Sequence, residues 1–388
     1  MSIKIIAYSA GRSDIDRYFP ILKTFKNSSN VKLKLVLSYV YYLKYFNSSI
    51  KNLNSFFTII DSKNFFNHKY FMNKDKPSFL ANQLGREISR LSVIIENEKP
   101  DLLIVLGDRY EMLALPIAAV PFKIPVIHLY GGAVTIGAID ELIRHSITKL
   151  SHFHLVAHND YKNRIKQLGE ESKRIKNIYM PEIFLMKREK IISKQLLFDK
   201  FNFDIKKKII LVTYHPETLN QKNSIRNFNN MISVLLKLRM QVIFTYPNSD
   251  FGHRFIINKY KELCSKLINF RLIENAGQNL YVNLLKNSDL MLGNSSSGIV
   301  EAASFKLPVI NIGNRQTGKV KPLNVIDCDG SLKSLKAKIS LGLSSKFKNK
   351  IKKLKNPYEK KINLKKLIKK IILESKNKDF LIKKFIDI

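Results

Sequence analysis

The chain has 388 residues, 45% of them hydrophobic, and a formal net charge of +36, so its length favours two globular domains over one. The charge does not predict a nucleic-acid partner, because lysines occur throughout, the densest basic run (346–370) has helical spacing, and no zinc-finger, RRM or basic-zipper motif is present. No apolar run of about 18 residues, secretory signal or CxxC pair is found, so we expect a cytoplasmic protein that binds no membrane.

The first half of the sequence alternates short apolar runs with amphipathic segments. Strands are predicted at 2–9, 31–38 (an outer strand), 56–60, 102–106, 126–129, around 152–158 and at 175–180, and helices at 15–25, 79–97, 111–122, 138–150 and 159–168. The remainder of 51–76 is interpreted as a loop. Buried strands followed by charged or glycine-rich turns and helices are typical of a doubly wound parallel sheet, which binds ligands at the carboxyl ends of its strands.

A second alternating series follows a charged, poorly patterned segment at 182–206, where we place the domain boundary. Its strands are predicted at 209–214, 241–246, 270–273, 290–292 and 309–312, and its helices at 223–237, 255–267, 279–286 and 299–305. The predicted fold class is therefore α/β, with two doubly wound Rossmann-like domains (1–186 and 187–365), a C-terminal segment (366–388) and a cleft at the strand ends.

The loop from Asn294 to Gly298 is the best candidate for an anion site. Its small residues allow a close backbone approach, and its serines donate hydrogen bonds beside the start of the helix predicted at 299–305. Glu301 is suited to a ribose hydroxyl. The alternative is an ordinary helix cap, with Glu301 as a capping-box acid.

Two further groups of polar residues follow predicted strands. His215 ends a buried strand, where it can bind phosphate or carry a proton, although lone histidines are more often structural. Asp108-Arg109, Asp140-Glu141 and Arg144-His145 cluster near a Gly-Gly turn; the alternative is a pair of ordinary salt bridges within a helix. Histidines at 152, 154 and 158 do not form a predicted metal site. Without GxGxxG or a Walker motif, neither NAD nor ATP is expected, and the turn at Gly11-Arg12 is only a weak phosphate-site signal.

Several motifs resemble those of the hydrolysing UDP-N-acetylglucosamine 2-epimerases of sialic-acid biosynthesis. They are GDRYEMLA, HxxGG from His128, GAIDELIRHSITKLSH, TYHPETL, GNSSSGIVEA, INIGNRQTGK and SKNKDF, which occur in this order along nearly the whole chain. The resemblance implies a GT-B-type fold whose C-terminal helix packs on the N-terminal domain. It also implies that UDP-N-acetylglucosamine is converted to UDP and N-acetylmannosamine by anti elimination and hydration, without a metal or other cofactor.

The same resemblance implies roles for individual residues. Arg12 and His215 are expected at the diphosphate, and Arg315 near the nucleotide. The predicted catalytic residues are Asp108, Asp140, Glu141, Arg144 and His215, and the predicted substrate-binding residues are Arg12, Arg109, Asn248, Asn294, Ser295, Ser296, Ser297, Gly298, Glu301 and Arg315. The family usually has a glutamate at the position of Tyr130 or Ala133, and this chain has one at neither.

The resemblance leaves alternatives open. One alternative is the same reaction on a UDP-2,4-diacetamido-2,4,6-trideoxyhexose, as in legionaminic-acid pathways. A GT-B glycosyltransferase, or a UDP-sugar-binding protein without catalytic activity, is another. A homo-oligomer, either a dimer or a tetramer, is expected.

Overall fold

The computed structural model describes residues 2–42, 53, 55–60, 77–136, 139–217, 219–248 and 252–387. The chain divides into two compact units. The first unit comprises Met1–Ala133, Asp140–Glu182 and Lys360–Ile388, and the second comprises Val134–Ile139 and Ile183–Glu359. The described helices include none that is long and apolar enough to cross a membrane.

Within its described residues, the first unit contains a parallel sheet of seven strands. The strands are β1 (Ile3–Ser9), β2 (Val31–Leu37), β3 (Thr58–Ile60), β4 (Leu102–Leu106), β5 (Val126–Leu129), β6 (Phe153–Val156) and β7 (Ile175–Asn177). All residues of β4, β5 and β6 are buried, because helices cover both faces of a parallel sheet. Their mostly apolar sequences reflect this environment, although β5 and β6 each contain one buried histidine, His128 and His154.

Helices connect these strands. They are α1 (Arg12–Lys26), α2 (Pro77–Glu98), α3 (Ala114–Ala119), α4 (Asp140–Leu150) and α5 (Asn159–Gln167). A short 3-10 helix, Tyr110–Leu113, precedes α3, so the helix predicted at 111–122 is divided in two. The predicted helix at 138–150 is found from Asp140 onward, and 137–138 lie outside the described residues.

The strand order of the first sheet, β3-β2-β1-β4-β5-β6-β7, reverses between β1 and β4. At such a reversal the loops after the two neighbouring strands diverge and leave room for a ligand. The loops concerned contain Gly11 and Asp108-Arg109. A Cβ atom on Gly11 would lie 3.9 Å from Nε of Arg109, so the two loops meet there.

The second unit repeats this architecture with a parallel sheet of six strands in the order β10-β9-β8-β11-β12-β13. The strands are β8 (Ile209–Thr213), β9 (Gln241–Thr245), β10 (Phe270–Ile273), β11 (Leu290–Gly293), β12 (Val309–Ile312) and β13 (Val325–Cys328). The helices are α6 (Glu182–Met186, whose first residue belongs to the first unit), α7 (Lys194–Lys200), α8 (Gln221–Lys237), α9 (His253–Lys266), α10 (Gly277–Asn287), α11 (Ser296–Val300), α12 (Leu332–Leu343) and α13 (Ser345–Ile351). Here the order reverses between β8 and β11.

The last helix, α14 (Leu364–Glu374), belongs to the first unit and contacts α1. A 3-10 turn at Lys378–Leu381 and an extended segment follow it. The end of the chain therefore returns to the N-terminal sheet, as predicted.

Some sequence-based expectations were wrong. The prediction that β2 is an outer strand fails, because β3 pairs with it on that side; the alternating lysines reflect partial exposure, and Lys34 pairs with Glu98 at 2.6 Å. The segment at 182–206 contains α6 and α7. The strand β13 and the helix α12 were not predicted. Most of the loop predicted within 51–76 lies outside the described residues.

The end of β11 requires glycine. Gly293 has φ of +141°, and a Cβ atom there would lie 2.0 Å from the carbonyl oxygen of Thr213 on the neighbouring strand. We expect Gly293→Ala to lower the free energy of unfolding by at least about 2 kcal/mol in denaturant titrations. Gly85→Ala is the control, because its Cβ would contact nothing within 4 Å inside α2; it should raise stability by about 0.5–1 kcal/mol. Equal stability of the two variants would contradict this account.

Candidate functional site

The side chain of Arg144 joins the two acidic loops of the first unit. Its Nε donates to Oδ2 of Asp108 at 3.1 Å, and its Nη2 pairs with the same oxygen. Its Nη1 donates to Oε2 of Glu141 at 2.5 Å and to the carbonyl oxygen of Ala133 at 2.7 Å. One guanidinium therefore connects the loop after β4, the turn after β5 and the first turn of α4.

Burial separates the roles of these three groups. The Arg144 side chain is 0% exposed, whereas the side chains of Asp108 and Glu141 are 30% and 26% exposed. Burial acts to lower the pKa of Arg144, but the carboxylates of Asp108 and Glu141 outweigh it and raise that pKa. The result is a permanent buried cation that holds two carboxylates accessible to a ligand.

The other oxygen of Glu141 pairs with His145, at 3.3 Å from Nε2. The carboxylate of Glu141 therefore pairs with both Arg144 and His145, which lie one turn further along α4. Asp140 is the first residue of the same helix. The structure therefore brings Asp108, Glu141 and Arg144 together, and it places Asp140 beside them in sequence at the helix start.

His128 holds the backbone next to this cluster in place, a role that was not predicted from the sequence. Its Nε2 donates to the carbonyl oxygen of Gly107 at 2.7 Å, and its Nδ1 accepts from the hydroxyl of Thr148, on α4, at 3.2 Å. Burial lowers the pKa of His128 to about 3, so the ring is neutral and one nitrogen can accept. A Cβ atom on Gly131 would lie 2.7 Å from Nδ1, which explains the glycine that follows β5.

The loop after β1 is fixed by Asp14. Its Oδ2 accepts from the backbone N–H groups of Ala10 and Gly11, both at 2.9 Å. Burial raises the pKa of Asp14 to about 6, although Arg109 and these hydrogen bonds act in the opposite direction. Arg109 also pairs with Glu111 at 3.3 Å. Arg12 begins α1, and its side chain lies outside the described part of the structure.

In the second unit, Asn294 links three loops at the sheet edge. Its Oδ1 accepts from the backbone N–H of His215 at 2.7 Å, and its Nδ2 donates to the carbonyl oxygen of His215 at 2.9 Å. Its own carbonyl oxygen accepts from Arg315 at 3.3 Å and from Gln316 at 2.8 Å. The loops after β8, β11 and β12 are therefore held together, and they contain most of the predicted nucleotide-binding residues.

The orientation of His215 follows from its hydrogen bond with Asn248. Nδ1 of His215 accepts from the backbone N–H of Asn248 at 3.0 Å. Because Nδ1 is an acceptor, the neutral ring carries its proton on Nε2, which is then a donor suited to an anion. Asn248 thus contributes its backbone N–H and orients the ring.

The serine loop differs from the prediction. Helix α11 begins at Ser296, so the predicted start at 299 was wrong, and Ser295 caps the helix by accepting from Ser297 N–H at 3.3 Å. The side chain of Ser297 shares a hydrogen bond with the Tyr281 hydroxyl at 2.5 Å. Serine is favoured at the start of a helix because its side-chain oxygen accepts a hydrogen bond from a first-turn N–H group that has no partner within the helix.

Gly298 of α11 and Glu301, which follows this helix, have well-defined local roles. Gly298 packs against β12, because a Cβ atom there would lie 2.8 Å from Cγ1 of Val309. Glu301 is the C-terminal residue that caps α11, not its third residue, so the capping-box interpretation is wrong. Its side chain is buried.

Glu217 is a second residue that the sequence did not single out. Burial raises the pKa of its carboxyl, and the nearby backbone N–H groups of Asn314 and Arg315 act in the opposite direction. A Cβ atom on Gly313 would lie 2.3 Å from Oε1 of Glu217. Glu217 therefore shapes the loop that carries Arg315. Its position two residues after His215 was the available signal.

No group of three or more His, Cys, Asp or Glu side chains suited to a metal ion occurs among the described residues. Of the three alternating histidines, His154 is buried and bonds Glu170 at 3.1 Å. His152 accepts from the backbone N–H of Val126 at 3.2 Å.

The profile of the UDP-N-acetylglucosamine 2-epimerase family matches residues 23–372. The chain belongs to this family. The predictions of the family and of an epimerase-type enzyme are thereby confirmed.

Curated relatives of this epimerase carry several substrate names. The chain is 40% identical over 66% of its length to the GDP/UDP-N,N'-diacetylbacillosamine 2-epimerase (hydrolyzing) of Campylobacter jejuni, covering 67% of that protein. It is 40% identical over 65% of its length to the UDP-N,N'-diacetylbacillosamine 2-epimerase (hydrolyzing) of Legionella pneumophila, covering 66% of it. Identity to the Polysialic acid biosynthesis protein P7 of Escherichia coli is 37%, over 75% of each chain.

Solved structures of the family share the fold. The UDP-GlcNAc 2-epimerase of Neisseria meningitidis, bound to UDP-GlcNAc, matches with a TM-score of 0.80 at 20% identity, over 96% of this chain and 100% of that one. The Methanocaldococcus jannaschii UDP-GlcNAc 2-epimerase matches with a TM-score of 0.75 at 18% identity, again over 96% of this chain and 100% of that one. The predicted α/β fold with two Rossmann-like domains of the GT-B type is confirmed.

The low pKa of His128 makes a prediction for stability. An unfolded histidine has a pKa near 6.5 and the folded one about 3, so the unfolded state binds more protons between these values and folding is favoured less as the pH falls. The stability difference between the wild type and His128→Gln should therefore be largest above pH 6.5. It should shrink by up to about 2 kcal/mol between pH 6.5 and pH 5.

Denaturant titrations at several pH values measure this difference. Ile127→Val is the matched control, because Ile127 is fully buried next to His128 on β5 and has no titratable group, so its difference from the wild type should not vary with pH. A pH-independent difference for His128→Gln would contradict the assignment of a neutral buried ring.

Proposed function

We propose that this epimerase is a hydrolysing enzyme that acts on a UDP-activated 2-acetamido sugar. The observation that carries the proposal is the buried Arg144, which holds the carboxylates of Asp108 and Glu141 in partly exposed positions within a family fold. Acidic side chains held by a buried cation are suited to proton transfer at a sugar carbon.

The proposed reaction has two steps. In the first, a base removes the proton at C2 while the C1–O bond breaks, so that UDP leaves and a 2-acetamidoglucal forms. In the second, water adds across the double bond. Its hydroxyl bonds to C1, and a proton is delivered to C2 on the face opposite to the one from which the original proton was removed. The net change is UDP-sugar plus water to UDP plus the free 2-epimeric sugar.

Asp108 is the proposed base in the first unit. Its carboxylate follows β4 at the reversal of the strand order and remains 30% exposed. Glu141 and Asp140, at the start of α4, are proposed to contact the sugar and to exchange protons with it. Arg144 keeps the Asp108 and Glu141 carboxylates in place, and His128 fixes the backbone before Asp108.

The loops of the second unit are proposed to hold the UDP group. His215 offers its Nε2–H, and Arg315 adds a positive charge on the loop joined to Asn294. Stabilising the leaving diphosphate lowers the barrier to C1–O cleavage. Ser296 and Ser297, which begin α11, are proposed to bind phosphate, and Glu301 is proposed to bind the ribose. Arg12 is proposed to bind the diphosphate. The remaining proposed substrate-binding residues are Ser295, Gly298 and Arg109.

The identities order the candidate substrates. Both relatives at 40% identity are named for UDP-N,N'-diacetylbacillosamine, whereas a Neisseria meningitidis relative named UDP-N-acetylglucosamine 2-epimerase is 28% identical. We therefore put the UDP-2,4-diacetamido-2,4,6-trideoxy sugar first and UDP-N-acetylglucosamine second. The two sugars differ at C4 and C6, away from C1 and C2, so the same residues serve either.

Incubation of the purified protein with each UDP-sugar, without an acceptor, tests this proposal. Release of UDP with an equal amount of the free 2-epimeric sugar is expected, with a higher kcat/KM for the diacetamido substrate. UDP binding without turnover of either sugar would contradict the proposal and favour a binding protein. Turnover that requires an added acceptor would favour a glycosyltransferase.

Replacement of the proposed base gives a separate test. Asp108→Asn keeps the size of the side chain but removes its basicity, so kcat should fall by at least about 1000-fold while the Kd for UDP changes less than about threefold. Asp199→Asn, on an exposed face of α7, is the control and should behave like the wild type. Activity that survives Asp108→Asn would show that another group is the base.

A further inference from the structure

The last residues of the chain are bound to the first unit along a defined path. The ring of Phe380 stacks on Phe153 of β6, with centroids 4.1 Å apart. Arg174 donates to the carbonyl oxygens of Phe380 and Ile382 at 2.7 and 2.8 Å. The backbone N–H of Ile386 donates to Gly169 at 3.0 Å. We call residues 376–387 the C-terminal tail.

Lys383 is the tail residue that enters this surface. Its Nζ donates to the carbonyl oxygens of Lys149 and Ser151 at 2.7 and 2.6 Å, and to Oε1 of Glu170 at 2.9 Å. The carbonyl oxygen of Thr148 lies 3.4 Å from the same nitrogen. All three N–H groups of the ammonium therefore have acceptors.

The three carbonyl acceptors lie at the C-terminal end of α4. The last carbonyl groups of a helix have no partner within the helix, and a positive charge there also complements the helix dipole. The ammonium of Lys383 provides both the hydrogen-bond donors and the positive charge. The next lysine, Lys384, is exposed. Glu170 also accepts from Lys149 at 2.8 Å and from His154 at 3.1 Å, so it joins α4, β6 and the tail.

The opposite end of α4 carries the acidic cluster. Glu141 and Arg144 lie in its first half, and Thr148, one turn after Arg144, bonds the ring of His128. A helix of this length behaves as a rigid rod, so a shift at its last turn also moves its first turn. Catalytic groups misplaced by about 1 Å can lose on the order of 100-fold in rate.

We propose that Lys383 is a positioning residue for the reaction: from the C-terminal tail it fixes α4 and thereby the carboxylate cluster of Asp108 and Glu141. This inference rests on the proposed function, since it assigns Lys383 an effect on that chemistry. Lys383 does not touch the substrate in this account. Its effect is on kcat through the position of Glu141 and Arg144.

The test compares Lys383→Met with Lys384→Met in the full chain. Methionine keeps the length of the Lys383 stem but removes the ammonium. We expect Lys383→Met to lower kcat by about tenfold or more with KM changed less than about threefold, and Lys384→Met to match the wild type. Lys383→Arg restores a positive charge and should recover part of the lost kcat. A kcat of Lys383→Met within about twofold of the wild type would overturn the proposal.

Hydrogen exchange provides a readout that does not depend on turnover. The amides of α4 should exchange faster in Lys383→Met than in the wild type, and those of α8, in the second unit, should not change. Unchanged exchange in α4 would overturn the proposal. If the wild type turns over neither UDP-sugar, the proposed function fails by itself, and the exchange data still decide whether Lys383 holds α4. If protection is lost throughout the chain in Lys383→Met, the same comparison is made with Lys383→Gln, which keeps an N–H donor but has no charge; unaltered exchange in α4 and an unaltered kcat would then overturn the proposal.

Discussion

The pairing of one buried guanidinium with two partly exposed carboxylates is the constraint on which the first unit depends. Arg144 is fully buried, so its charge is tolerated only because Asp108, Glu141 and a backbone carbonyl satisfy it. This requirement fixes the distance between the β4 loop and the start of α4. The neutral ring of His128 adds a second connection between the same two elements. Structure and proposed chemistry therefore depend on the same contacts.

In the second unit, neutral side chains hold the corresponding loops together. Asn294 connects the loops after β8, β11 and β12 through its side chain and its carbonyl oxygen, and Asn248 fixes the tautomer of His215. Backbone and side-chain amide groups thus hold these loops together and orient the ring of His215. The glycines at 293 and 313 follow from the close approach of these loops.

Much of the fold follows from periodicity in the sequence. A fully buried parallel strand such as β4 appears as an uninterrupted apolar run, which is why its limits were predicted correctly. The short helix α11 was misplaced because serines are compatible with both loop and cap. The contacts of Arg144 with Asp108, and of Lys383 with Glu170, join residues 36 and 213 positions apart, so local patterns carry no signal for them. The same holds for His128 and Glu217. The sequence shows their residue types and positions, but it does not show which groups they contact.

Isotope labelling can show whether the reaction is an elimination followed by a hydration at C1 and C2. The reaction is run with the preferred UDP-sugar in D₂O and separately in ¹⁸O-water, and the free sugar is analysed by NMR and mass spectrometry. The account predicts one deuterium at C2 with inverted configuration and, in the early product before anomeric exchange with the solvent, one ¹⁸O at C1. A free sugar with the original C2 configuration and no deuterium at C2 would contradict it.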